Sequence, residues 1–538
     1  MMNKQSSDPA LLLFFSAFSI SLVIALVSKF KSIPGPPYGG DLYFHTGIAQ
    51  AIMFGNPPFR DPTNVGEYAF YPWLYHLIVA FLGKILGIFF VVTKVVPILI
   101  LTLSMLVLYQ IARENFNRRV AIVAVLIPLA LKFPEAHPRA LLSMVMIPLF
   151  YLALFRFSRD RDVKNSVFLG VSWGLAGLTH VLGTFGAGAI LLTKTVMDKI
   201  KRMKIKYNIV AIAIGVTILL LFWGPLLFVY HAKTPNPYQE LVMRHFTLPE
   251  FIVSFLTFPL SFSGLKIFLG MLTIPGIILG LIRYRDVFLP SLLGILGAGV
   301  LFIVLGDNLV AYKLSSYYFT LNALAILESL NWLSENLKWS KIMPLAVILL
   351  MGTSAITVGD YANSPWTAIG FKDPWYNDLR CWILTNSDVN TVFLSSYESS
   401  FFLFSISGRK TVLFRRTHAS PFVDYDKRSL DIAIALAGND TEESLRILKK
   451  YNVAYIYIDS FTKRDPIWVP YKYSSILREK GIECRVGYVM YDPADPKSVK
   501  IKACRVEFKI NPKLKRMLKL VYSNGETKIY KLINGQDN

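Results

Sequence analysis

Charge is scarce in this chain: Asp, Glu, Lys and Arg make up only 17% of its 538 residues, while 54% are hydrophobic. A soluble domain averages about 25% charged residues, so an ordinary soluble enzyme is excluded, and with it a disordered chain, a coiled coil and a collagen-like fibre. Cysteine is scarcer still. Cys381, Cys484 and Cys504 are the whole complement, and their spacing fits no metal motif. A Cys484–Cys504 disulfide on an oxidising face and three free thiols both remain open. No small-residue cleavage site follows the first hydrophobic run, so that run is expected to stay as a span rather than leave as a signal peptide. Internal repeats are absent.

What the chain has instead is long uncharged stretches. Residues 11–27, 95–108, 141–155, 209–229, 287–305 and 342–358 are each near the ~20 residues that cross a bilayer. Apolar lengths predict about eleven spans, at roughly 10–30, 88–111, 120–133, 139–156, 165–179, 181–196, 208–230, 263–282, 287–305, 309–332 and 341–358. The net charge of +22 would suggest nucleic acid in a soluble protein; here its placement reads as topology. Basic clusters fall at Arg113/Arg118/Arg119, Arg156/Arg159/Arg161/Lys164, Lys194 to Lys206, Arg283/Arg285 and Lys338/Lys341. Positively charged loops stay on the cytoplasmic side, so a cell-membrane protein with a cytoplasmic N-terminus and an extracytoplasmic C-terminus is expected. Lys29 and Lys31 go against this rule.

The expected organisation is a transmembrane module over residues 1–358, with outer loops at 31–87, 132–139 and 230–263, and an extracytoplasmic α/β domain over 359–538. In the first loop, Asp41 to Phe54 has helical spacing after Gly39-Gly40 and stops at Gly55-Asn56-Pro57-Pro58. Tyr71 to Leu86 carries Trp73, Tyr75 and His76 among aliphatics, a composition suited to the membrane surface. In the last third, residues 391–395, 410–414 and 453–459 read as strands and 430–437 and 441–451 as helices. That alternation predicts a mainly parallel sheet, with further strands at 502–509 and 518–532 turning around Asn524-Gly525.

The first outer loop, with Gly40-Asp41-Leu42-Tyr43-Phe44-His45, Gly55-Asn56-Pro57-Pro58, Asp61-Pro62 and Tyr71-Pro72-Trp73-Leu74-Tyr75-His76, resembles that of the GT-C superfamily of membrane glycosyltransferases. The likeness is nearest to archaeal oligosaccharyltransferase catalytic subunits. It extends weakly to Thr179-His180, to Ala311-Tyr312-Lys313 and to residues 442–459 of the outer domain. Most of the chain is covered, but only the first loop is specific. The family's W-W-D-Y-G acceptor block is missing: Ser395-Ser396-Tyr397-Glu398-Ser399-Ser400 stands at its expected place. The second outer loop carries Glu135 and His137 where the family has a D-x-D or D-x-E pair.

The resemblance implies a polytopic helical GT-C enzyme that moves a sugar from a polyprenyl-phosphate-linked donor to a glycan, lipid or protein acceptor at the outer face, among membrane lipids and without nucleic acid. Such chemistry needs a base, cations for the departing phosphate and a groove for the lipid. Asp41 is the candidate base, partial desolvation being expected to raise its pKa toward working pH; capping of its own helix is the plain alternative. His45, four residues on, shares its helix face and is a candidate substrate contact or an interfacial histidine. Arg139 and Lys313, at the outer ends of spans, are candidate phosphate ligands, with Lys94, His180, Arg244 and His245 as further substrate candidates; snorkelling to head groups is the plain alternative for the cations. Asp41, Glu135 and His137, with Glu240, are a possible Mg²⁺ or Mn²⁺ set, although metal-independent catalysis is preferred. A divergent oligosaccharyltransferase acting on protein through Tyr397-Glu398, a lipid or glycan transporter and an inactive scaffold are the other readings.

Overall fold

The computed structural model describes residues 7–35, 40–231, 247–260, 266–337, 339–462, 464–489 and 500–533. Among these, seven helices are long and apolar enough to cross a membrane: Pro9–Val27, Ile88–Asn115, Pro138–Arg159, Val181–Ile200, Lys206–Val229, Arg285–Val304 and Ile342–Ala362. The chain is a multi-pass membrane protein. The other four expected spans are helical but shorter or interrupted. Val163–Thr179 and Ile267–Arg283 have 17 residues each, about 26 Å of rise against a core of about 30 Å. The 120–133 segment divides into Arg118–Ala124 and Ile127–Leu131, where Pro128 opens the second piece because it has no N–H to continue the first. The 309–332 segment divides into Asn308–Lys313, a 3-10 turn and Tyr318–Asn336.

The spans close around one apolar core that includes Leu101, Phe150, Leu191, Leu324 and Leu350. Close backbone approach needs small residues: a Cβ on Gly276 would lie 1.8 Å from the Ala325 carbonyl oxygen, so only glycine lets Ile267–Arg283 seat against Tyr318–Asn336. Several residues of the basic clusters have acidic partners. Arg161 and Lys194 share Asp198, each at 2.6 Å, and Arg283 holds Glu335 at 2.8 Å. Lys94 is spent on structure: its Nζ donates to the carbonyls of Val27, Ser28 and Phe30. Val27 ends helix α1 (Ser7–Val27), whose last carbonyls lack partners within the helix, and Ser28 and Phe30 follow it.

The C-terminal part of the chain, for which the label outer domain is kept from the sequence expectation, holds a five-stranded sheet and a three-stranded sheet. The strands are β1 (Val392–Leu394), β2 (Lys410–Thr411), β3 (Val453–Ile458), β4 (Ile467–Pro470), β5 (Arg485–Val489), β6 (Ile501–Val506), β7 (Leu518–Asn524) and β8 (Thr527–Leu532). The larger sheet runs β2-β1-β3-β8-β7 and the smaller β4-β6-β5. Only β2, β1 and β3 are parallel; β8 and β7 join antiparallel, as does every strand of the smaller sheet. The expectation of a mainly parallel sheet is therefore corrected to a mixed one. The reason is local: β7 and β8 form a hairpin through Gly525 at φ +58°, and a tight hairpin can only pair its strands antiparallel. Cys484 and Cys504 are bridged across 20 residues, and Cys381 is free and exposed.

The first outer loop joins the two parts. Helix α2 (Asp41–Met53) lies along the helix Tyr397–Ser407 of the outer domain. Gln50 Nε2 donates to the Ser405 carbonyl at 2.6 Å and its Oε1 accepts from Arg380 at 3.2 Å. The buried Lys410 ammonium donates to Asn56 Oδ1, the Asp61 carbonyl and the Asn64 carbonyl at 3.1, 2.8 and 3.3 Å. A buried cation is tolerated when its donors are all met. Burial still pushes Lys410 down to about 8.

Closing a loop the length of that between Cys484 and Cys504 removes about 3 kcal/mol of unfolded-state entropy. Reduction, or a Cys484→Ser/Cys504→Ser pair, is expected to destabilise the outer domain by that order; an unchanged denaturation midpoint with and without reductant would contradict it.

Candidate active site

The site begins with backbone conformation. Gly40, at φ +98°, precedes the first turn of α2, and no side chain caps this helix. Positive φ is a glycine conformation, and its use here leaves Asp41 in the first turn with both carboxylate oxygens free to point elsewhere. They meet two imidazoles. Oδ1 lies 3.0 Å from His418 Nε2 of the outer domain, and Oδ2 lies 3.4 Å from His137 Nε2 of the second outer loop. Helix capping by Asp41 is thereby set aside.

The tautomers follow from the partners. His137 Nδ1 accepts the Arg139 N–H at 2.9 Å, capping the helix that starts at Pro138. Its proton in the neutral form is therefore on Nε2, which donates to Asp41. Deeper in, His76 Nδ1 lies 3.2 Å from the Pro72 carbonyl and its Nε2 lies 2.9 Å from His45 Nδ1. A carbonyl only accepts, so His76 donates to Pro72 and His45 donates to His76. Burial holds His45 well below the usual imidazole range and His76 down to about 3. His45 is only 3% exposed, a buried histidine rather than an interfacial one.

Ring contacts link the rest. The His45 ring is 4.6 Å from His137 and 4.8 Å from Tyr71, and Tyr71 is 5.5 Å from His180. His180 Nδ1 accepts from the Leu182 N–H at 3.2 Å. Burial, then the charges of Lys313, His137 and Arg139, keep it well below its ordinary value. Burial and the Asp41 charge push Tyr71 well up, against Arg139. Asp41, Arg139 and Lys313 thus act on the same buried groups. Neither cation makes an ion pair with a described residue. Lys132, pushed down to about 8 by burial and by Arg139, adds a third positive group. Five of the seven histidines in the chain, His45, His76, His137, His180 and His418, belong to this one assembly.

Two expectations change. Burial raises the Asp41 carboxyl, but the hydrogen bonds and charges of His137 and His418 outweigh it, and the net direction is down. The expected upward tuning is reversed because two N–H donors stabilise the ionised form. The carboxylate side chain is 57% exposed, so solvent screens the pairing and no energy is assigned to it. The metal set of Asp41, Glu135 and His137 is not assembled: no group of three His, Cys, Asp or Glu among the described residues could hold an ion. Glu135 is exposed, and His137 has one nitrogen on the helix cap and a proton on the other. Arg244, His245 and Glu240 lie outside the described residues.

The family model described as dolichyl-phosphate-mannose-protein mannosyltransferase matches residues 70–228, a segment that carries Tyr71, His76, His137, Arg139 and His180. An uncharacterized protein of Methanocaldococcus jannaschii is 34% identical over 76 residues, which is 14% of this chain and 56% of that protein's length. Among solved structures, ArnT of Cupriavidus metallidurans bound to undecaprenyl phosphate is 12% identical with a TM-score of 0.51, covering 93% of this chain and 99% of that one. Arabinofuranosyltransferase AftD from mycobacteria is 14% identical with a TM-score of 0.53, covering 97% of this chain and 41% of that one.

The chain has the GT-C membrane glycosyltransferase fold.

Within this GT-C fold, sequence reasoning missed His418, Lys132 and the cluster roles of Tyr71 and His76. His76 and Tyr71 stood in the first-loop motif; nothing in the spacing around Arg415-Arg416-Thr417-His418 marks a site residue. Asn is a strong helix cap but has no group to replace His137 Nε2. His137→Asn is therefore expected to keep the melting temperature while the Asp41 carboxyl titrates at higher pH, followed by carboxylate infrared bands against an Asp41→Asn control; an unmoved band would remove His137 from the control of Asp41.

Proposed function

We propose that the protein transfers a sugar from a polyprenyl-phosphate-linked donor to an acceptor at the extracytoplasmic face of the cell membrane. The observation that carries this reading is the pairing of opposite tasks in one cluster: a carboxylate kept ionised by two imidazoles, beside an arginine and a lysine with no ion-pair partner among the described residues. The family description names a dolichyl-phosphate-mannose enzyme, and the ArnT structure of the same fold holds undecaprenyl phosphate. Both support a lipid-phosphate donor.

The chemistry balances with these groups. The acceptor hydroxyl attacks the anomeric carbon, the bond from that carbon to the phosphate oxygen breaks, and the electron pair leaves on the lipid phosphate. Arg139 can bind two phosphate oxygens at once, and Lys313 adds a point charge. Asp41 accepts the hydroxyl hydrogen. A carboxylate with lowered pKa is a weak base, which suits a reaction in which the sugar–phosphate bond opens first and the acceptor loses its proton late. His45, His76 and Tyr71 form the neutral wall behind Asp41, and His180 lies where Lys313 and Arg139 meet.

Transfer to protein through Tyr397-Glu398 finds less support. The Tyr397 hydroxyl is engaged with Ser429 and the Trp468 carbonyl, and Glu398 pairs with Arg415, so both side chains have internal partners.

The test is reconstitution of the full chain in nanodiscs with polyprenyl-phosphate mannose, glucose or arabinose and octyl glycoside acceptors. Asp41→Asn is expected to lower kcat by about 100-fold or more, and Arg139→Gln or Lys313→Gln to raise the KM for donor. Equal turnover by wild type and Asp41→Asn would remove Asp41 from the mechanism. Inactivity with every donor, together with lipid movement across vesicles, would favour the transporter.

A further inference from the structure

The outer domain contributes one side chain to the cluster, and the way that side chain is held says more than contact. His418 ends the short 3-10 helix Arg416–His418. Its ring lies 4.7 Å from Phe44 of α2 and 5.1 Å from Phe401 of the outer domain. Arg415, paired with Glu398, covers the Phe401 ring at 4.0 Å. One aromatic from each part thus sets the plane of the imidazole.

Both nitrogens are committed as well. Nδ1 is 2.8 Å from Thr417 Oγ1 and Nε2 is 3.0 Å from Asp41 Oδ1, a partner 377 positions away in sequence. The carboxylate only accepts, so His418 donates from Nε2 and its Nδ1 accepts from the Thr417 hydroxyl. This is the shorter of the two contacts that hold Asp41; the other, to His137, is 3.4 Å. A half-exposed carboxylate with a single long contact keeps its rotamer freedom, and a second donor on its other oxygen removes it.

We propose that His418 is the positioning residue for Asp41, so that the membrane module is catalytically complete only with the outer domain docked against α2. This rests on Asp41 being the carboxylate that meets the acceptor. His418 touches neither donor nor acceptor in this scheme; it acts by fixing where Oδ2 points. The other groups that feel the Asp41 charge are His137, Lys313, His45, Tyr71 and His180, and none of these five belongs to the outer domain.

Three substitutions in the full-length protein in nanodiscs separate this role from packing. His418→Gln keeps an N–H donor for Asp41 and is expected to retain most of kcat. His418→Phe fills the space between Phe44 and Phe401 without a donor, and His418→Ala removes both. Each of these two is expected to lower kcat about 10- to 100-fold, the cost of an orientation lost by about an ångström, with donor KM unchanged. A Phe variant with wild-type kcat, or a loss confined to KM, overturns the proposal. A second measurement needs no turnover. In ¹⁵N-histidine NMR of the full chain, with His418 assigned by its loss in His418→Gln, the protonated Nε2 resonance is expected to move on Asp41→Asn while those of His76 stay. An unmoved His418 resonance also overturns it. Inactivity of the wild type with every polyprenyl-phosphate sugar counts instead against the sugar-transfer reading, and the resonance then decides for His418.

Discussion

The arrangement depends on one carboxylate shared by two imidazoles that come from distant parts of the chain. Asp41 starts α2, His137 caps the helix after the second outer loop, and His418 closes the first turn after β2 in the outer domain. For these three to meet, the first loop must be docked on both the membrane helices and the outer domain. The buried polar anchors do this. Lys410 gathers three carbonyl-type oxygens of the loop, and Gln50 and Arg380 tie α2 to the backbone of the helix Tyr397–Ser407. A buried donor left without its acceptor costs more than the bond itself contributes, so these anchors fix one relative placement rather than merely adding attraction.

Electrostatics then divides the site. On one side the histidines behind Asp41 are neutral because burial disfavours their charged form. On the other, Arg139 and Lys313 bring positive charge that no ion pair among the described residues takes up. In the proposed sugar transfer, the departing phosphate meets the cationic half and the acceptor hydroxyl meets the carboxylate.

Much of this is legible in the order of residues alone. The low charge content and the uncharged runs marked a multi-pass protein, and the strands at 391–395, 410–414 and 453–459 matched β1, β2 and β3 within a few residues. The first-loop motif, through its resemblance, pointed to Asp41 and His45, and it contained Tyr71 and His76 without giving them a role. What stayed hidden were features with no local signature. His418 reaches Asp41 only through tertiary packing, the pKa of Asp41 turned on two donors from other segments, and a hairpin at the chain's end made the sheet mixed. Lys94 illustrates the reverse: intramembrane depth suggested a ligand, but carbonyls at and just after the end of α1 were its partners.

The neutral histidines carry a consequence for how the cluster responds to pH. His45, His76, His180 and His418 all have their proton affinity weakened, with burial the main cause. Mild acidity, which protonates an ordinary imidazole near pH 6.5, finds these rings unwilling to take a proton. These four rings therefore stay uncharged in a mildly acidic medium, and that constancy comes from their burial rather than from any buffering group.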